Sequence, residues 1–224
     1  MKRRGGLISL KDLKNYKSRW REPVVGHYDD YTLYSMAPPS SGGAHVVQIF
    51  NILKPLMLHR HPIQSDHVIH HTASAMQLAF VDRARYMGDS DFTKVPVQAL
   101  TSKAYADKLR RKIGYKALKP TYKAMPDAFA YESNETTHFT IMDNKGNTIS
   151  STQTINYLMG SGMVIPGTGI VMNNEMDDFS TKVGASNVFG AVGGVHNLVA
   201  SLNGPLSSMS PTIVRRKGKP IFAL

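Results

Sequence analysis

From Thr136 to Ile155 the chain alternates, turns and alternates again. Phe139 and Ile141 interleave with His138, Thr140 and Met142; the loop Asp143-Asn144-Lys145-Gly146-Asn147 follows; Thr148-Ile149-Ser150-Ser151-Thr152-Gln153-Thr154-Ile155 returns. A period of two predicts half-buried strands, and a cluster of Asp, Asn and Gly between them predicts the turn of an antiparallel hairpin. If Met142 faces Thr148 across the loop, the same register sets Thr136 opposite Thr154. A slip of one residue would undo that match. Spacing alone leaves an ordinary threonine-rich hairpin open as the reading.

Upstream the pattern is different. Ser9-Leu10-Lys11-Asp12 predicts a capping box opening a short helix through Leu13 and Tyr16. Pro23 to Tyr28 and Tyr31 to Met36, separated by Asp29-Asp30, predict a hairpin. Pro38-Pro39-Ser40-Ser41-Gly42-Gly43 breaks the pattern and reads as a structural turn, since it lacks the lysine of a P-loop. Val46, Val47, Ile49, Phe50, Ile52 and Leu53 have helical spacing up to Pro55, and a further helix is expected over about Ser65 to Met87, with Val68, Ala75, Leu78, Ala79 and Phe80 broadly on one face. After Thr136 the texture changes to short β-like segments and glycine-rich turns.

Composition narrows the function. With 224 residues, 42% of them hydrophobic, the chain can build one sizeable core or two small ones. Its apolar runs are too short and broken for a transmembrane span. The absence of cysteine excludes disulfides and thiolate zinc sites. Met1-Lys2-Arg3-Arg4 starts like a signal-peptide n-region but turns polar before an apolar stretch can form, so the sequence as written carries no export signal. Much of the net charge of +11 lies between Thr101 and Met125, where Lys103, Lys108, Arg110, Arg111, Lys112, Lys116, Lys119 and Lys123 oppose only Asp107. With no nucleic-acid motif beside it, this stretch reads as a solvated helix face, and nucleic acid is not the expected partner. His59, His61, His67, His70 and His71 cluster, but no carboxylate completes an H-E-x-x-H pattern; unliganded histidines are expected, with no metal and no cofactor.

A threonine hydroxyl attacks a carbonyl only when a base takes its proton, and one solution is the residue's own α-amine, which a chain cleavage must first liberate. Asn173-Asn174-Glu175-Met176-Asp177-Asp178-Phe179 and Pro205-Leu206-Ser207-Ser208-Met209-Ser210-Pro211-Thr212 supply acidic and hydroxyl groups; by themselves they read as a turn or helix cap and a loop.

Thr136-Thr137-His138-Phe139, the Asp143 to Asn147 turn, Thr154-Ile155-Asn156, Gly160-Ser161-Gly162, Asn173 to Phe179 and Pro205 to Thr212 together resemble the γ-glutamyltranspeptidase (glutathione hydrolase) family. The likeness extends upstream through Leu7 to Tyr16, Pro38 to Gly43 and Phe80 to Phe92 with Asp82-Arg83-Ala84. It implies an α+β, four-layer αββα sandwich of the N-terminal-nucleophile hydrolase type, present in part. It implies a self-cleaving precursor, cut between Glu135 and Thr136, with residues 1–135 belonging to the large-subunit-like region and 136–224 to the small one. Thr136 becomes the catalytic nucleophile, oriented by Thr154, and forms a γ-glutamyl ester that water or an acceptor amino acid or peptide resolves. A γ-glutamyl group shows an α-ammonium and an α-carboxylate. The resemblance assigns Glu175, Asp178 and Asn156 to the ammonium, Ser207 and Ser208 to the carboxylate, and Phe189 to a lid formed by Lys182 to Gly194. Asp177 is given no role, since adjacent carboxylates in a strand or extended turn point opposite ways and only one need face the ligand. The resemblance further implies glutathione or other γ-glutamyl compounds as substrates, subunits that associate after cleavage, and a periplasmic or extracellular location.

Against the family pattern the chain looks truncated at both ends: a Gly-Ser-Pro-Gly-Gly turn expected after Leu224, whose amides form the oxyanion hole, is not in the sequence, nor is an arginine that grips the substrate carboxylate. Two other readings stand beside the first: a related β-lactam acylase, and a non-catalytic remnant or basic binding protein.

Overall fold

The structure is a computed structural model that describes residues 5–119, 136–187, 190 and 192–224. Helix α1 (Leu10–Asn15) opens on the expected capping box, with Ser9 and Asp12 each accepting from the other's backbone N–H. Strands β1 (Val24–Tyr28) and β2 (Tyr31–Ser35) form the expected hairpin, turning at Asp29, which adopts a φ of 55°. Helices α2 (Gly42–Leu53), α3 (Asp66–Tyr86), α4 (Val97–Leu100) and α5 (Lys103–Arg110) follow. Ser65 caps α3 through the Val68 N–H. Beyond Thr136 come β3 (Thr136–Met142), β4 (Thr148–Thr154), β5 (Thr212–Arg216) and β6 (Lys219–Ala223).

Two antiparallel sheets result, one ordered β1-β2-β5-β6 and one made of β3-β4. β2 and β5 pair across almost the length of the chain, Leu33 opposite Val214 and Ser35 opposite Thr212. Helix α2 packs on the larger sheet and α3, α4 and α5 pack on α2, and the mixture of helices with antiparallel sheets is the α+β class the resemblance implies.

α2 is the spine of the core. Val47 packs with Val24, Leu33 and Val214 of the sheet, Ala44 with Met87, Leu100 and Leu206, and Ile52 with Ala75, Ala106 and Leu109 of the helices. One amphipathic helix thus supplies a residue to each cluster. Its first turn differs from expectation: Gly42 and Gly43, predicted as part of a turn, are helical and buried. The cause is close approach. A Cβ on Gly43 would lie 2.2 Å from the Met36 carbonyl oxygen, and one on Gly42 2.5 Å from that of Met209.

Two further expectations are corrected. The buried side of α3 keeps Ala75 and Ala79 of the expected row, with Val68 and Leu78 half-buried, but Phe80 is exposed and Ser74, Asp82, Arg83 and Ala84 are buried in addition. Two alanines bring α2 close, and Asp82 is held by Gln48 at 2.6 Å and the Tyr105 hydroxyl at 3.0 Å. Strand β3 is not half-buried either: every residue of it is exposed, while β4, which meets β5 and β6, is largely half-buried. Among the described residues no helix is long and apolar enough to cross a membrane, and no three His, Cys, Asp or Glu side chains are placed to hold a metal ion. His61, His67 and His71 lie in tilted ring contact, with centroids 4.2 and 4.3 Å apart.

Candidate active site

The hairpin register is the predicted one, Thr136 opposite Thr154 and Met142 opposite Thr148. The Thr136 hydroxyl donates to Thr154 Oγ1 at 3.0 Å, and Thr154 Oγ1 also accepts the Asn156 backbone N–H at 2.9 Å. A hydroxyl oxygen already engaged by one fixed donor offers its other lone pair in a fixed direction, so Asn156 orients Thr154 and Thr154 orients Thr136. His138 shares this face and meets the Thr152 hydroxyl at 2.8 Å. Asp143 holds the turn by accepting from the backbone of Lys145 and Asn147. Glu135, on the far side of the expected cleavage, lies outside the described residues.

Asn156 is buried with a φ of 76°, and its Nδ2 donates to the Asn174 carbonyl at 3.2 Å. Asn174 in turn accepts the Tyr157 N–H on its own side chain at 3.0 Å. These bonds fasten the end of β4 to the acidic motif. That motif, Glu175–Asp178, is a 3-10 helix rather than the strand or extended turn expected. At three residues per turn, positions i and i+3 eclipse, which puts Glu175 and Asp178 on one face. Asp177 leaves that face and accepts from the Tyr157 hydroxyl. Burial, and secondarily Asp178, pushes the Glu175 carboxyl up to about 7. Burial raises Asp178 as well, while a 2.8 Å hydrogen bond from Asn187 and the charge of Arg83 pull it back.

The serine pair is built from the other side. Leu206 is fully buried against Ala44 and Met87, and Ser207 bridges to Ser40. The Ser207 carbonyl accepts from both the backbone N–H and the hydroxyl of Ser41, at 2.9 and 3.0 Å, and the Ser207 N–H donates to Pro39 at 3.0 Å. Ser207 Oγ takes the Met209 N–H at 3.1 Å, and Ser208 is exposed.

Two residues given no individual role in the sequence join these halves. Asn197, 3% exposed, donates from Nδ2 to the Asp178 carbonyl at 2.7 Å and accepts the Leu206 N–H on Oδ1 at 3.0 Å. Arg83, 5% exposed, donates to Ser41 Oγ at 3.1 Å and to the Leu206 carbonyl at 3.2 Å. Hydrogen bonds thus run from Thr136 through Thr154 and Asn156 to the acidic turn, and from that turn through Asn197 to Leu206 and the serine pair.

The full chain, residues 1–224, matches the family model described as Gamma-glutamyltranspeptidase. The chain belongs to the γ-glutamyltranspeptidase family. It is 47% identical over 220 residues to the glutathione hydrolase proenzyme of Escherichia coli, an alignment that takes in 98% of this chain and 38% of that one. Among solved structures, a cephalosporin acylase from Bacillus halodurans superposes with a TM-score of 0.81 at 26% identity, covering 99% of this chain and 37% of the acylase. The γ-glutamyltranspeptidase of Helicobacter pylori superposes over 58% of this chain, and 38% of its own, with a TM-score of 0.51 at 40% identity. The chain therefore spans a little over a third of the length of the relatives it matches.

Within this family frame, Thr136, Thr154, Asn156, Glu175, Asp178 and Ser207 fall into one hydrogen-bonded framework, Ser208 stands exposed beside Ser207, and Phe189 lies outside the described residues. In the surrounding loop, Gly184 and Gly190 adopt positive φ, whereas Gly193 and Gly194 are close-approach points against the Ser180 hydroxyl and the Ala84 carbonyl. Asn174, Asn187, Asn197 and Arg83 are the framework residues that sequence reasoning did not single out. Asn174 and Asn187 sit in irregular segments and Asn197 closes a single 3-10 turn, none with a periodicity to betray it. Asn174, Asn187 and Arg83 stood inside the motifs and lid segment carrying the family resemblance, but none was given a role of its own.

Proposed function

We propose that this chain carries the threonine nucleophile and γ-glutamyl pocket of a glutathione hydrolase/γ-glutamyltransferase. The Thr136 hydroxyl held by Thr154 is the observation that carries the reading. In maturation, Thr136 Oγ1 attacks the Glu135 carbonyl carbon, the acyl group passes from nitrogen to oxygen, and water cleaves the resulting ester. Glu135 leaves as a new carboxylate and Thr136 keeps a free α-amine. An α-amine titrates at roughly 7.7–8, so near neutral pH part of it is unprotonated and can serve as base. In turnover that amine takes the Thr136 proton as Oγ1 attacks the γ-glutamyl carbonyl and returns it to the departing amine. Water or an acceptor amino acid or peptide then resolves the ester.

Glutathione or another γ-glutamyl compound is the donor on this reading. Its α-ammonium meets Glu175 and Asp178, which share one face of their turn, and its α-carboxylate meets the hydroxyls of Ser207 and Ser208. The cephalosporin acylase likeness favours a second reading, a β-lactam acylase, but two carboxylates beside a serine pair suit a zwitterionic amino-acid end better. The test is intact mass spectrometry of the purified chain and of Thr136→Ala. Fragments ending at Glu135 and beginning at Thr136 are expected from the wild type alone; an uncut but folded wild type, or cleavage that persists in the variant, overturns the proposal.

A further inference from the structure

Arg83 is a buried guanidinium with no carboxylate in salt-bridge range among the described residues. A buried cation is expensive unless something compensates it. Its hydrogen bonds go to two neutral oxygens, Ser41 Oγ and the Leu206 carbonyl, and the acid whose charge acts on it is Asp178 of the acidic turn. Both oxygens belong to the serine side of the pocket, because Ser41 also grips the Ser207 carbonyl. Leu206 is clamped at both ends of its peptide unit, its N–H by Asn197 and its carbonyl by Arg83.

We propose that Arg83 is a positioning residue that couples the two halves of the pocket, fixing the main chain that presents Ser207 and Ser208 while its charge faces Asp178. The inference rests on the reading of those residues as the γ-glutamyl pocket. Three acids, Glu175, Asp177 and Asp178, fall within four residues, and Asn187 is the neutral donor on Asp178. Arg83 is the cation that favours the ionised form of Asp178, the form an incoming ammonium requires. Arginine does this in a way lysine cannot, since its planar fork reaches Ser41 and Leu206 together.

The test follows the Asp178 carboxyl and the Ser207 and Ser208 amides by NMR through a pH titration, without ligand, in wild type, Arg83→Lys, Arg83→Met and Ser41→Ala. L-Glutamate, which presents the same amino-acid end as a γ-glutamyl group, is then titrated into each. Arg83→Met is expected to move the Asp178 midpoint upward and to shift both serine amides. Arg83→Lys keeps the midpoint and shifts the amides, and Ser41→Ala shifts the amides alone. Glutamate affinity falls about tenfold or more in both Arg83 variants, the usual consequence of losing a charge-assisted contact. If Arg83→Met leaves the Asp178 midpoint and the serine amides unmoved in a folded protein, the coupling does not exist. If Arg83→Met does not fold, Arg83→Lys and Ser41→Ala still decide it through the amides. A wild type that binds no glutamate refutes the pocket reading, while the ligand-free titrations still judge Arg83.

Discussion

The Glu175 carboxyl is pushed up to about 7 from an ordinary 4.5, first because it is half-buried and then because of the charge of Asp178. Between those two values the folded chain holds a proton that the unfolded chain has released, so this residue's contribution to stability is full below 4.5 and is lost as pH rises through 7. Urea unfolding across that window is expected to show the decline, and Glu175→Gln, with no proton to lose, to flatten it. Ligand binding runs the other way. An ammonium requires the carboxylate, so L-glutamate affinity is expected to rise as pH climbs through about 7 in the wild type and to lose that dependence in Glu175→Gln. Isothermal titration at several pH values checks both. Much of this site was legible: the Thr136–Thr154 pairing followed from alternation and a loop of fixed length. The phase of Glu175 to Asp178 did not, because four residues fit a strand, a cap or a 3-10 turn equally well, and only the last puts the first and fourth side by side.

Helix α2 shows the same division at the scale of an element. Its apolar spacing up to Pro55 announced a helix, and serines before α1 and α3 announced their starts. Its own start was hidden, since glycine in a helix is ordinarily unfavourable and a Gly-Gly pair after two prolines reads as a turn. What overrides propensity is the backbone of the Ser35–Met36 segment and of Ser208–Met209, each too close to admit a side chain. Replacing glycine by alanine inside a helix usually stabilises by up to about 1 kcal/mol. Gly43→Ala is expected to do the reverse and cost about 1–3 kcal/mol through overpacking, since its Cβ would meet main chain rather than a yielding side chain. Denaturant midpoints of the variant and the wild type measure the sign.

Across the whole molecule, the hairpin and the larger sheet are joined at Ser150, whose hydroxyl donates to the Leu224 carbonyl at 2.9 Å. One face of the hairpin carries Phe139 and the cross-strand pair Ile141 and Ile149, all exposed. Apolar strand surface of this kind promotes association. Ile141→Lys is expected to lower the apparent mass by light scattering at high protein concentration relative to wild type, while leaving the Thr136 face, on the opposite side of the pleat, unchanged. The pairing of β2 with β5 was not legible, because nothing local links Leu33 to Val214. It carries a consequence for how maturation would be noticed. The strands on either side of residue 136 are zipped to each other, so the two parts of a chain cut there are expected to stay together: two bands in detergent, one peak on a native column.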